Sequence, residues 1–185
     1  MLYIFLIGVS LSMDAFAISV ANGMALRPFR PAYALWMGLY FGFFQFFMPL
    51  LGCLLGGAVS AYASSLGPYI SFFLLAFIGG KMLMDSAGGG EGEGMERFSH
   101  AKLLAMALAT SIDALAAGVS FAFMEGARLF PACGLIGCTT FALSAAGALL
   151  GRAIPGVSGK RAGLLGGAVL IALGLRMLAE GIYQL

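Results

Sequence analysis

Apolar residues fall along this chain in six blocks, approximately 2–26, 32–59, 68–85, 101–124, 129–151 and 163–183, with charged and turn-forming residues gathered between them. As a helix rising 1.5 Å per residue, each block is long enough to cross about 30 Å of hydrocarbon. A membrane barrel would instead show alternating segments of about ten residues. The pattern therefore predicts six transmembrane helices. Only 86–100, rich in glycine and glutamate, reads as a linker, and Glu91, Glu93 and Glu96 suit a solvated loop there.

Polar positions inside the blocks carry more information than the blocks themselves. Ser12-Met13-Asp14-Ala15-Phe16-Ala17 in the first block recurs as Ser111-Ile112-Asp113-Ala114-Leu115-Ala116 in the fourth. An ionised aspartate at the bilayer centre costs about 2.5–3.5 kcal/mol on an insertion scale, so acids at this depth face a cavity and mark an ion, proton or substrate path. Gly42, Gly52 and Gly56 of the second block align with Gly137, Gly147 and Gly151 of the fifth. In the third and sixth, Gly79-Gly80-Lys81-Met82-Leu83-Met84-Asp85 aligns with Gly174-Leu175-Arg176-Met177-Leu178-Ala179-Glu180. Three crossings per half put the second half into the membrane from the opposite side. The expected organisation is thus two inverted three-helix repeats, 1–85 and 101–185, joined by the 86–100 linker, with a binding site near the midplane.

Composition agrees and narrows the class. With 185 residues, 61% hydrophobic, 10% charged and a mean hydropathy of +1.00, the chain is no ordinary soluble domain, whose charged share is nearer 25%. It reads as an all-α integral membrane protein. A net charge of +2 is too small for a nucleic-acid binder. The basic residues serve as topology markers: Arg27, Arg30, Arg97, Lys102, Arg152, Lys160 and Arg161 follow the odd spans, against Arg128 alone on the other face. The positive-inside rule makes those loops and the linker cytoplasmic and leaves both termini outside. Met1 to Leu6 lack a basic n-region, so no cleaved signal peptide is expected. Cys53, Cys133 and Cys138 lie in apolar spans and form no Cys-x-x-Cys pair.

Helical periodicity, at about 100° per residue, puts Ser10, Ala17, Ala21 and Ala25 on the Asp14 face with Asn22 at its edge, and Ala109, Ala116, Ala117 and Ser120 with Asp113. The second span carries a stripe of Gly38, Gly42, Gln45, Pro49, Gly52 and Gly56, mirrored by Cys133, Gly137, Thr140, Ser144, Gly147 and Gly151. The glycines suit close helix packing. Gln45, Thr140 and Ser144 add polar atoms at mid-depth, and Pro49 leaves the Gln45 carbonyl without its usual helical donor. Asp14, Asp113, Gln45, Asn22, Thr140 and Ser144 together make a hard, oxygen-rich set suited to Mg²⁺, Ca²⁺ or Mn²⁺ as substrate. Met13, Met48 and Met106 read as core filler, and His100 as a solvated loop side chain. Lys81 with Asp85 and Arg176 with Glu180 stand four residues apart; anchoring at the interface explains both pairs, and their recurrence in both halves keeps gating open.

These residues carry a resemblance. Ser-Met-Asp-Ala-Phe-Ala in span one, Thr-Ser-Ile-Asp-Ala-Leu-Ala-Ala-Gly-Val in span four, Met48-Pro49-Leu50-Leu51-Gly52 and Gly79-Gly80-Lys81-Met82 resemble the MntP family of bacterial manganese efflux pumps, related to the lysine-exporter-type transporters. The resemblance implies Mn²⁺ export across the inner membrane, with Asp14 and Asp113 required. Some family members carry a glutamate where this chain has Gln45. No Gly-x-x-x-x-Gly-Lys-Ser/Thr loop is present, so the expected energy source is a proton gradient or the membrane potential, and no cofactor is expected. Fe²⁺ and Mg²⁺ share the ligand chemistry of Mn²⁺, and homo-oligomerisation is left open. Two other classes compete. An intramembrane aspartyl protease would use two aspartates as an acid/base dyad, but neither Asp14 nor Asp113 sits in a Gly-x-Gly-Asp setting. An amino-acid exporter would need a mid-depth basic residue for the carboxylate, and the sequence places none there.

Overall fold

The computed structural model of the chain describes residues 2–26, 28–87, 98–121, 126–154 and 159–183. Its elements are α1 (Leu2–Ala25), α2 (Pro31–Ala87), α3 (His100–Thr110), α4 (Ile112–Ser120), α5 (Gly126–Ala153) and α6 (Gly159–Tyr183). The chain is all-helical, with no strand among the described residues. Among the described residues, six segments are long and apolar enough to cross a membrane: Phe5–Ala25, Pro31–Leu55, Leu66–Met84, His100–Gly118, Leu129–Ala153 and Gly163–Ile182. They coincide with the six expected spans. Large apolar side chains line the outside; Phe73 and Phe77 are 68% and 75% exposed, which is tolerable only if lipid covers them.

Helix α2 holds two of these spans in one helical run containing Pro49 and Pro68. Contacts fix their directions. Helices α1 and α5 run parallel, Gly8 meeting Ile136, Ser12 bonding Thr140 and Gly151 meeting Val20. Gly38 and Gly42 pack on Phe141 and Gly137, so the first span of α2 is antiparallel to α5. Helix α6 is antiparallel to α1, with Asp14 near Arg176 and Ala21 near Gly166. The second span of α2 is antiparallel to α6 in turn, because Pro68 meets Gly181 and Gly79 meets Gly167. The chain therefore reverses between Leu55 and Leu66, a stretch flanked by Gly56-Gly57 and Gly67-Pro68, the residue types that allow sharp bends.

The fourth span differs from the expected single helix over 101–124. It breaks at Ser111, which stands between α3 and α4 with φ −105° and ψ 4°. A break this deep must satisfy the carbonyls it frees, and hydroxyls do so. Thr110 Oγ1 donates to the Met106 and Ala107 carbonyls at 3.0 and 3.2 Å. Ser111 Oγ donates to Leu108 O at 3.1 Å, and Ser71 Oγ, from α2, to Ala109 O at 2.8 Å.

Lipid offers no hydrophobic drive between helices, so small residues set the packing. A Cβ on Gly52 would strike the Leu115 carbonyl and Gly118, and one on Gly147 would strike the Phe16 carbonyl and Ser19. These seams seat the Gly38–Gly52 stripe on α5 and α4, as expected of the glycines. The main buried cluster includes Ile18, Leu75, Ile78, Met82, Met106 and Leu170. A second one gathers Leu50, Phe121, Ala132, Cys133 and Ile136.

The linker 86–100 is structured at both described ends. Helix α2 continues through Ala87, and α3 begins at His100 behind an N-cap at Ser99. Residues 88–97, with the three linker glutamates and Arg97, lie outside the described residues. His100 is not merely solvated: its ring stands edge-on to Trp36 and Phe98, at 5.1 and 4.9 Å between centroids, and its Nδ1 lies 3.3 Å from Tyr40 Oη.

Candidate functional site

Asp14 sits midway along α1, and Asp113 lies in the first turn of α4, just past the break. The structure brings them together. Both line one cavity of about 240 Å³, whose walls also include Pro68 and Ser71 of α2 and Met177 and Glu180 of α6. Small and hydroxyl residues of α2 and α6 let the helices close on one another here. Gly67 lets α2 close on Ile112, Gly181 lets α6 close on Pro68, and Ser71 ties α2 to α3 through Ala109 O.

Asp113 accepts the Ala114 N–H at Oδ1, at 2.8 Å, which fixes one carboxylate oxygen against the backbone. Asp14, whose side chain is 13% exposed, accepts Arg176 Nη1 at Oδ1 across 3.3 Å. Arg176 also donates through Nε to Glu180 Oε1 at 2.8 Å. A basic group thus does reach the mid-depth acid, contrary to the expectation from sequence. It arrives from α6, 162 residues along the chain. The spacing within α6 revealed only the Glu180 half of this arrangement. Lys81 is exposed, and the side chain of Asp85 lies outside the described residues.

The other expected ligands are placed elsewhere. Gln45 is fully buried between α2 and α1, where Nε2 donates to Leu11 O at 3.0 Å and Oε1 has no partner. Thr140 bonds Ser12 Oγ at 2.7 Å and Ile136 O at 2.9 Å, in the seam between α1 and α5. One turn on, Ser144 Oγ is buried with no partner, as is Ser19 Oγ on α1. Asn22 donates to Ile18 O at 2.9 Å and lies 3.4 Å from Met106 Sδ. It borders a separate void of about 10 Å³, barely the size of one water. None of these four lines the aspartate cavity. Among the described residues no three His, Cys, Asp or Glu side chains converge as a preformed metal cage.

Depth distinguishes the two ends of the cavity. Gly67, Pro68, Glu180 and Gly181 stand at the ends of their spans on the face away from the basic loops. Toward the basic-loop face, α1, α2, α3 and α6 contribute the buried apolar side chains Ile18, Ile78, Met106 and Leu170. Met82 packs there on Gly166, beside the Ala21 carbonyl. The cavity thus lies between the span ends away from the basic loops and the apolar packing on the basic-loop side.

Residues 28–178 match the model of a family described as "Putative manganese efflux pump". The chain is 46% identical over 176 residues to a protein of Methanosarcina mazei named "Putative manganese efflux pump MntP", covering 95% of this chain and 94% of the relative. The protein of that name in Methanosarcina barkeri is 45% identical with the same coverage. Another in Desulfitobacterium hafniense is 42% identical over 179 residues, 97% of this chain and 94% of its own. No solved structure matches the chain.

Proposed function

Since the chain belongs to the MntP family of manganese efflux pumps, we propose that it exports Mn²⁺ from the cytoplasm through the cavity that Asp14 and Asp113 line. The observation that carries this reading is the meeting of two mid-depth carboxylates, from α1 and α4, in one cavity. Water takes about 30 Å³ per molecule in the liquid, so the volume suits an ion that keeps part of its hydration shell. Mn²⁺ favours such carboxylate and water oxygens. A transported ion must also leave, which a loose pair of acids allows more readily than a closed cage. The Ser111 break serves the same end, since discontinuous helices commonly bring backbone ends to a midplane ion site.

Several contacts support two inverted repeats, 1–85 and 101–185. The Gly52 contacts with Leu115 and Gly118 have their counterparts in those of Gly147 with Phe16 and Ser19, residue for residue in the repeat alignment. Gly79 on Gly167 and Leu170 is likewise matched by Gly174 on Phe72 and Leu75. Basic-loop asymmetry supports an orientation with the closed side toward the cytoplasm and both termini outside the cytoplasmic membrane. In that orientation the cavity faces outward, the state from which an exporter releases its ion. Helix α1 is continuous where its counterpart is broken at Ser111, so the halves adopt different conformations, as alternating access requires.

One observation favours a second reading. Arg176 beside Asp14 could receive an amino acid's carboxylate while Asp113 receives its amine. Uptake into inverted vesicles, in which export from the cytoplasmic face fills the lumen, separates the two when assayed with Mn²⁺, Fe²⁺, Mg²⁺ and lysine. Asp14→Asn and Asp113→Asn should each reduce Mn²⁺ transport at least a hundredfold, the order of effect of losing a charged group's directed interaction, while the protein remains folded in detergent. Parental transport rates in either variant would remove that aspartate from the path, and a preference for lysine over every metal would establish the second reading.

A further inference from the structure

We infer that Arg176 is a tethered cation that occupies the place of the metal on Asp14 when the site is empty and yields it when a divalent ion binds. The inference rests on the metal-export reading and specifies how its site is regulated.

The geometry of the two ion pairs carries it. Nε lies 2.8 Å from Glu180 Oε1, within the range of a strong charge-assisted bond, whereas Nη1 lies 3.3 Å from Asp14 Oδ1, beyond it. The strong bond is within α6, one turn apart, and the weak one crosses between helices. Different nitrogens make the two bonds, so the Asp14 contact can break while Glu180 keeps hold of the guanidinium. Exposure says which partner moves: the Arg176 side chain is 58% exposed and that of Asp14 only 13%. Arg176 therefore swings on a short leash at the rim, and Asp14 stays fixed in the wall.

Charge explains why a metal displaces it. With the site empty, Asp14, Asp113 and Glu180 bring three carboxylates to one cavity, and the single positive charge of Arg176, beside Asp14 and Glu180, relieves their repulsion. A divalent ion brings twice the charge and can lie between Asp14 and Asp113, whereas Arg176 contacts Asp14 alone among the two. The exchange is reversible. When the ion leaves, the guanidinium returns to Asp14 and opposes rebinding from the same face, so the arm favours release where the cavity is open. Glu180 keeps the arm within reach of Asp14 by holding Nε throughout. A plain interfacial anchor would do none of this, because its charge would be indifferent to the ion.

Three measurements on the purified full chain test the inference. Mn²⁺ binding should tighten roughly fivefold or more in Arg176→Gln, as expected of a typical coupling between competing sites, and return toward the parental value in Arg176→Lys. Maximal export by Arg176→Gln should fall, since release is slowed. Independently of any variant, the rate at which phenylglyoxal modifies Arg176, read by mass spectrometry, should rise at saturating MnCl₂ as Asp14 lets go. An unchanged modification rate together with unchanged affinity in Arg176→Gln would overturn the inference while leaving the metal site standing. Failure of the parental protein to bind Mn²⁺ at all would remove the metal reading, and this inference with it.

Discussion

Two hydroxyls one turn apart on α5 should respond differently to truncation. Thr140 is held by Ser12 at 2.7 Å, whereas Ser144 Oγ is buried without a partner. Thr140→Val should therefore cost about 1 kcal/mol, the net worth of one buried hydrogen bond. Ser144→Ala should change stability by no more than about 0.5 kcal/mol, or raise it, because the lost hydroxyl was unsatisfied. Thermal unfolding in detergent measures both. A drop in Mn²⁺ affinity in Ser144→Ala at full stability would instead bring Ser144 to the ion. At this scale the sequence singled out Asp14 and Asp113, since each alone would be costly in lipid and both recur in one local pattern, and the structure brings both to one cavity. It could not show that Arg176 reaches Asp14, because spacing along a helix reports neighbours on that helix and nothing about the helix opposite. Gln45, Thr140, Ser144 and Asn22 illustrate the same limit. Each was singled out as a polar residue within an apolar span, but which neighbour its face meets depends on how the bundle closes.

The broken fourth span depends on a donor from another element. Ser71 of α2 supplies the hydrogen bond to Ala109 O, in a buried setting next to the break. Ser71→Ala should leave that carbonyl unsatisfied and cost about 1–3 kcal/mol. The expected readout is a lower unfolding temperature, with amide hydrogen exchange at 109–113 rising more than in α5. Equal exchange in both places would mean that the break is held by Thr110 and Ser111 alone. Span number and length were legible from hydrophobic runs, and so were the glycine seams. The break was not. Ser12 and Ser111 stand in nearly the same local sequence, yet Ser12 lies in an unbroken helix with Oγ on Gly8 O at 2.5 Å, while Ser111 interrupts one. Local chemistry permits either outcome, and contacts from α2 select one of them. The reversal inside α2 is a similar case: glycines and prolines marked where bending is easy, while the antiparallel packing on α5 and α6 determined that the chain turns there.

For the whole molecule, the cavity should be open to one side only. In a background without Cys53, Cys133 and Cys138, cysteines replacing Ala116 or Met177 should react with a membrane-impermeant thiol reagent from outside. A cysteine at Ile78, beneath the cavity floor, should be protected from that side. Labelling of positions 116 and 177 from the cytoplasm alone would reverse the proposed orientation and with it the direction of transport. The shape of the cavity also has an electrical consequence. In the proposed orientation, water filling the cavity would carry the outside potential down to Asp14 and Asp113, so the membrane field would fall mainly across the layer formed by Ile18, Ile78, Met82, Met106 and Leu170. An uncompensated divalent charge crossing that layer experiences about 4–5 kcal/mol per 100 mV. Export should accordingly slow as the interior is made more negative, in proteoliposomes clamped with valinomycin and potassium. A rate indifferent to voltage would mean that a counter-charge crosses with every ion, turning a short apolar layer into the place where electroneutral exchange is enforced.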